Sequence, residues 1–283
     1  MKFFNMAKAS LVTSLFATLC AAQVFADSAP ISSVTTADEV EWGYLNPLRG
    51  DKSPGAADLW GDRTKNTATG MLVRFKKGFS SPPHIHNISY RGVVIAGKMH
   101  NDDPSAEFMW LPTGSFWTQP AGENHITAAN GETNLIYLEI DSGPYLVKPS
   151  AQHFDNGEHP INQHIDNMVW EKPNDSTWLN KGGAQLTHLW GNNIGEDTAG
   201  TLVKIPAGYS GELQGGAGTL RFVVISGSVQ YSSKETPEAK TLKPASYVAS
   251  NAPFVHNITA DADTLIYVRA DRKFKVLTQR DKT

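Results

Sequence analysis

Cysteine is nearly missing from this chain. Among 283 residues only Cys20 is one, and it falls in an N-terminal stretch read below as a leader. Without disulfides the fold must rest on its hydrophobic core. Thiolate metal sites are excluded as well, which removes blue copper, iron–sulfur and cysteine-bearing zinc chemistry. An excess of positive charge is also lacking: 25 Lys and Arg stand against 28 Asp and Glu, a formal net charge of −3. No basic stripe stands out, which argues against a nucleic-acid partner. No long stretch keeps a helical period, and no long apolar run follows the first 26 residues. What is present is a series of short β-rich runs, such as 70–75, 91–96, 108–111 and 134–140, separated by turn residues. That pattern predicts an all-β protein of sandwiches or barrels.

Residues 1–26 read as a secretory signal peptide rather than part of the fold. Lys2 and Lys8 make a basic start, Leu11 to Ala22 is a short apolar run, and Val24-Phe25-Ala26 offers a cleavage site before Asp27. The apolar run is short for a membrane span, so no membrane contact is expected after processing. Leu19 before Cys20 is too large for a lipoprotein site. The expected destination is the periplasm.

The rest of the chain is one pattern used twice. LWGDRTKNTATGMLVRFKKGFS from Leu59 matches LWGNNIGEDTAGTLVKIPAGYS from Leu189, and the offset of 130 residues holds from Trp60/Trp190 to Gly78/Gly208. It continues through Tyr90–Gly97 against Leu220–Gly227, and through Asn134–Tyr137 against Thr264–Tyr267. We therefore divide the chain into a leader (1–26), a first unit (27–150) and a second unit (151–283). The polar run from Gly143 to Gln163, with three prolines, reads as a linker. His153, His159 and His164 lie in or beside it and are expected to be solvated. Trp60 and Trp190, carried by both units, are expected to serve packing.

Three histidines of the first unit carry the chemistry. His84 and His86 are two apart in a segment that reads as a strand, so both leave the same face. His125 follows in GSFWTQPAGENHITAAN. These two segments resemble the two signature motifs of the cupin superfamily. The first, G-x5-H-x-H-x3-(E)-x6-G, fits at Gly78, His84, His86 and Gly97; the second, G-x5-P-x-G-x2-H-x3-N, fits at Gly114, Pro120, Gly122 and His125, with Asn130 one place late. Tyr90 stands where the family usually carries a metal-binding glutamate. The resemblance implies two tandem cupin barrels arising by internal duplication, a bicupin. It also implies one divalent metal ion in the first barrel, held by His84, His86 and His125. The arrangement is similar to a bacterial two-cupin family of unassigned function.

In the second unit Gln214 and Gly216 stand opposite the two paired histidines, Leu220 and Phe222 stand opposite Tyr90 and Gly92, and only His256 remains. That barrel is expected to hold no metal and to be structural, covering the first barrel or making a homodimer contact. A neutral three-histidine set leaves a bound ion its full charge, which favours a small anionic, oxygen-rich molecule. Cupins with three histidines and no glutamate include dioxygenases, so the resemblance favours Fe(II), with Zn(II) or Mn(II) as alternatives, and a dioxygenase type of reaction. A second reading is a redox-neutral lyase or isomerase with Tyr90 as base. A third is a non-catalytic protein that binds a small ligand. Arg91, on the strand face opposite Tyr90 and repeated as Arg221, is expected to be structural. His100 and Glu123 lie close enough in sequence to line the pocket.

Overall fold

A computed structural model describes residues 32–191, 197–216, 218–251 and 253–279. The leader, with Cys20 and the expected cleavage site, lies outside the described residues. Among the described residues the helices are short 3-10 turns, and none is long and apolar enough to cross a membrane.

The first unit holds a seven-stranded antiparallel sheet in the order Ile161–Gln163, Phe116–Gln119, Tyr90–Ala96, Asn134–Ile140, Thr69–Phe75, Gly55–Trp60, Gly43–Tyr44. The second unit repeats this order over six strands: Ser32–Thr35, Tyr247–Asn251, Thr219–Ser226, Thr264–Ala270, Ala199–Ile205, Gln185–Trp190. Each large sheet is closed over by smaller ones. In the first unit these join Ile126–Ala129, Lys98–Asp102 and Leu111–Pro112, and separately Val147–Pro149 with His84–His86. In the second unit they merge into one five-stranded sheet. The fold is all-β and cupin-like, as the sequence led us to expect.

Strand alternation explains why the central strands are apolar on both faces. Along Tyr90–Ala96, Tyr90 and Val94 enter the core of the first barrel, with Met71, Met99, Trp117 and Leu138. Val93 and Ile95 point the other way, into a cluster shared with Val223, Ile225 and Tyr267 of the second unit. The two barrels thus pack large sheet against large sheet. At the seam Arg91 lies 3.7 Å from the Trp190 ring centre and Arg221 4.4 Å from that of Trp60, a reciprocal cation–π pair. Each indole donates to a tyrosine hydroxyl, Trp60 to Tyr137 and Trp190 to Tyr267, at 2.9 Å in both cases. Both tryptophans serve packing, and both arginines brace the seam.

The units also trade edge strands across the boundary drawn at residue 150. Ser32–Thr35, which precedes the first barrel, pairs with Tyr247–Asn251 of the second. Ile161–Gln163, which precedes the second barrel, pairs with Phe116–Gln119 of the first. The expectation of a free linker at 143–163 is corrected here. Val147–Pro149 forms a strand against His84–His86, and Phe154 lies over Gly122, where an added Cβ would come within 2.3 Å of the Phe154 carbonyl. The segment stays close to the histidine-bearing strands because its backbone groups find partners there.

The interior of the second barrel is filled. Leu220 and Phe222 are fully buried in its core. In the first barrel the place of Phe222 is taken by Gly92, where an added Cβ would lie 2.2 Å from the Trp117 ring.

Candidate metal centre

The chain brings the three histidines together through backbone pairing. His84 and His125 exchange hydrogen bonds, N–H to carbonyl in both directions, each 3.0 Å. The Gly122 N–H donates to the His86 carbonyl at 2.8 Å and closes the turn that carries His125. Ile85 between the two ligand candidates is fully buried on the opposite face, which sends both imidazoles the same way. Ring centres lie 5.1 Å apart for His84–His86, 4.2 Å for His84–His125 and 5.2 Å for His86–His125. One ring nitrogen from each falls within 4.8 Å of the others, and among the described residues no carboxylate joins the group.

Hydrogen bonds fix which nitrogen carries the proton in two of the rings. His84 Nδ1 lies 2.9 Å from the Pro82 carbonyl, and His125 Nδ1 lies 3.1 Å from the Glu123 carbonyl. A carbonyl only accepts, so each Nδ1 is the donor and each Nε2 keeps its lone pair for a metal. Burial holds all three imidazoles below their usual pKa. His125 comes down to about 3, with His84 adding to the burial effect. His86 is lowered strongly, by burial first and then by the other two rings. At neutral pH the set is uncharged and offers lone pairs. The donor set therefore fits a divalent ion of the kind that takes imidazole nitrogen.

Two phenols flank the histidines. The Tyr90 hydroxyl lies 3.3 Å from His125 Nε2 and donates to Asn101 Oδ1 at 2.9 Å. The direction of that bond is set by a chain of amides. Gln119 Nε2 donates to the Glu123 carbonyl (3.2 Å), so Gln119 Oε1 accepts from Asn101 Nδ2 (2.7 Å). Asn101 Oδ1 is then left to accept from Tyr90 and from Thr127 Oγ1 (2.8 Å). Tyr90 thus keeps its proton on the Asn101 side and turns a lone pair toward the histidines. Burial pushes its pKa up; a cation held by the imidazoles would act in the opposite sense.

Tyr145 comes from the segment read as linker, and sequence reasoning missed it. Its ring stacks on His86 at 4.5 Å, and its hydroxyl is 3.4 Å from His86 Nε2. Asn87 ties this segment down: its Nδ2 donates to the Pro144 carbonyl and its Oδ1 accepts from the Leu146 N–H, at 2.9 and 2.8 Å. Asn101, Gln119 and Thr127 were also missed. The missed signal lay in the repeat: the second unit closes on the strand Phe274–Thr278, so a strand was due after Ile140 as well.

His100 and Glu123 do not line the site. His100 is buried against Phe108, ring centres 4.3 Å apart, and Glu123 contributes its backbone carbonyl. A cavity of about 730 Å³ opens above His84, His86 and Tyr90. Its walls are apolar (Val73, Phe79, Trp117, Leu138), and Arg49 and Arg63 stand among its polar lining. In the second barrel His256 is no ligand candidate: Tyr231 and Ser250 hydroxyls occupy its two nitrogens at 2.9 Å each.

The model of a domain of unknown function, DUF4437, matches residues 33–277. No curated protein matches the sequence. Among solved structures the chain is similar to a candidate dioxygenase from Nostoc punctiforme, at 17% identity and TM-score 0.65, covering 86% of this chain and 83% of that one. It is similar to salicylate 1,2-dioxygenase from Pseudoaminobacter salicylatoxidans, solved as adducts with gentisate, at 10% identity and TM-score 0.55, covering 87% and 85%. It is also similar to an oxalate decarboxylase from Lactobacillus farciminis, solved with formate, at 9% identity and TM-score 0.55, covering 88% and 89%. At these identities the likeness is one of fold.

Proposed function

The chain belongs to the DUF4437 family and has a cupin fold, and on that premise we propose that it is a mononuclear three-histidine metalloenzyme of dioxygenase type. Its substrate is a small, oxygen-rich anion. The observation that carries this reading is the convergence of three buried, uncharged imidazoles without a carboxylate, two of which, His84 and His86, line a cavity with partly apolar walls. Fe(II) is the favoured ion, Zn(II) and Mn(II) the alternatives; when bound, it would supply Lewis acidity and, as iron, the redox partner for O2.

The protein's own groups do the rest. His84, His86 and His125 hold the ion without neutralising it, so an anionic ligand is drawn to the floor of the cavity. Val73, Phe79, Trp117 and Leu138 exclude water from the walls and strengthen that attraction. Tyr90, with its proton committed to Asn101, presents an acceptor lone pair beside His125. The likeness to dioxygenases solved at comparable coverage supports the reaction type.

A second reading, a redox-neutral lyase or isomerase, is favoured by the presence of a phenol in contact with the histidine set and by the likeness to a decarboxylase. In that case Tyr90 exchanges a proton with the substrate and the ion acts as a Lewis acid alone. One experiment separates the two. Iron-loaded protein is run in an oxygen electrode with a panel of aromatic acids, diketones and hydroxy acids. Oxygen uptake that Zn(II) does not support is the expected result. Turnover that persists without oxygen and with Zn(II), and that Tyr90→Phe abolishes while metal stays bound, would replace the dioxygenase with the lyase.

A further inference from the structure

Tyr90 and Tyr145 each place a hydroxyl close to the histidine set, 3.3 Å from His125 Nε2 and 3.4 Å from His86 Nε2 respectively. Neighbouring ligands on one divalent ion, each about 2.0–2.2 Å from it, lie roughly 3–3.5 Å apart. By spacing alone, both phenolic oxygens could complete the coordination that the missing glutamate supplies in related motifs. Their surroundings separate them.

The proton of Tyr90 is already committed. Its proton points at Asn101 Oδ1, an atom whose orientation is fixed through Gln119 by a backbone carbonyl. Removing that proton would set a phenolate against an amide oxygen 2.9 Å away. Two acceptors facing each other in a buried site are costly, and the amide cannot turn over without breaking its bond to Gln119. Tyr90 is therefore held as a neutral phenol.

Tyr145 carries no such constraint. Among the described residues, His86 Nε2 is the one hydrogen-bond partner of its hydroxyl. Its ring is held by stacking on His86, and its backbone by the Tyr145 N–H to Arg63 carbonyl bond at 2.8 Å and by the Asn87 clasp. The oxygen is thus positioned by the fold while its proton is committed to nothing but the site. The three imidazoles bring no negative charge, so an ion there lacks the charge compensation that a glutamate gives elsewhere.

We propose that Tyr145 is a metal ligand, closing a three-histidine, one-phenolate centre through its phenolic oxygen, while Tyr90 remains an uncoordinated neutral phenol. The proton released on binding leaves to solvent through the cavity. This rests on the metal reading above and amends it: the phenolate takes up one of the ion's two charges, so the pull on an anionic substrate is weaker than that of three imidazoles alone, and the substrate has only the remaining open positions of the ion.

The test uses the optical signature of iron(III)–phenolate bonds, which absorb in the visible through charge transfer from oxygen to metal; iron(III) held by imidazoles alone lacks such a band. Purified protein is loaded anaerobically with Fe(II) and oxidised with ferricyanide, and iron per chain is measured in parallel with the spectrum. Wild type and Tyr90→Phe should both be coloured, and Tyr145→Phe colourless with iron still bound. Phenylalanine preserves the stack on His86, so a loss of colour reports the oxygen rather than the fold. Zn(II) affinity of Tyr145→Phe should fall by at least ~10-fold. A band that survives in Tyr145→Phe, or iron-bound wild type with no band, overturns the assignment and leaves the three-histidine site standing. Failure of wild type to bind iron or zinc at all would sink the metal reading itself, and this assignment with it.

Discussion

His84 and His125 each hold a backbone carbonyl through Nδ1, and the geometry of both rings is therefore set before any ion arrives. Such pre-organisation makes each ligand hard to replace from within the site. Changing His84, His86 or His125 to Ala should reduce bound metal from about one per chain to near none, measured by elemental analysis after dialysis. His256→Gln should leave that content unchanged. A residual full complement in any of the three alanine variants would show that the ion sits elsewhere. His256 offers a different prediction. In the unfolded chain this imidazole takes a proton below about 6.5, whereas burial brings it down to about 4 in the folded protein. Between those values the unfolded state binds more protons, so stability falls as pH drops from 6.5 toward 4. The full difference is worth roughly 3 kcal/mol. His256→Gln lacks this term, so its stability relative to wild type should improve steadily across that window. Urea unfolding of the two proteins at several pH values reads this directly, and parallel slopes would refute it.

His84 and His86 were legible as a pair from their spacing, because a strand sends residues two apart to one face; His125 joined them through the resemblance to the cupin motifs, and a long-range backbone pairing with His84 is what places it there. Tyr145 was not legible, because it sits among Gly143, Pro144 and Pro149, whose turn chemistry outweighed a three-residue strand. Its pairing with His84–His86 is a long-range contact that local pattern cannot show. Asn101 was hidden for another reason. A polar residue in a strand has a solvated reading by default, and only the amide chain to Gln119 gives it a role. In the second barrel the repeat register was enough: Leu220 and Phe222 fall on the inward parity and are buried as expected. In the first barrel Tyr90 stands at the place of Leu220, and the Trp117 ring packs against Gly92 at the place of Phe222. Phe222→Ala should therefore cost ~3–5 kcal/mol in urea unfolding. A loss under about 1 kcal/mol would mean that the barrel collapses around the gap or that the side chain is less confined than its burial implies.

On the scale of the whole molecule, the repeat was plain in sequence but its use was not. We propose that residues 1–26 direct export, in which case the intact mass of periplasmic protein should begin at Asp27; a retained Met1 or a lipid on Cys20 would refute it. The two units face each other about an approximate twofold axis, since Tyr137 meets Tyr267 with ring centres 5.5 Å apart and these are the same position of the repeat. Positions near such an axis meet their own counterparts. Two residues further on, Glu139 meets Arg269, again equivalent positions, with Arg269 Nη1 donating to Glu139 Oε2 at 2.9 Å. Arg269 also reaches Asp141 at 2.9 Å. Glu139 is almost fully buried and Arg269 nearly so, so the pair sits out of water. Two identical barrels would set Glu on Glu or Arg on Arg at this point; a single chain with two divergent halves can set opposite charges there. Removing one partner of a buried pair leaves the other uncompensated and costs ~3–5 kcal/mol. Arg269→Glu places two carboxylates together and should do at least that damage. The exchange Glu139→Arg with Arg269→Glu restores one opposite pair, although Asp141 then lies beside the new arginine from its own strand rather than across the seam. We expect the double variant to recover more than half of the stability lost in Arg269→Glu, read as the coupling energy of a double-mutant cycle from urea unfolding. A coupling near zero would mean that the barrels are held by the aromatic and aliphatic seam alone, and that the charges at its centre are incidental to their alignment.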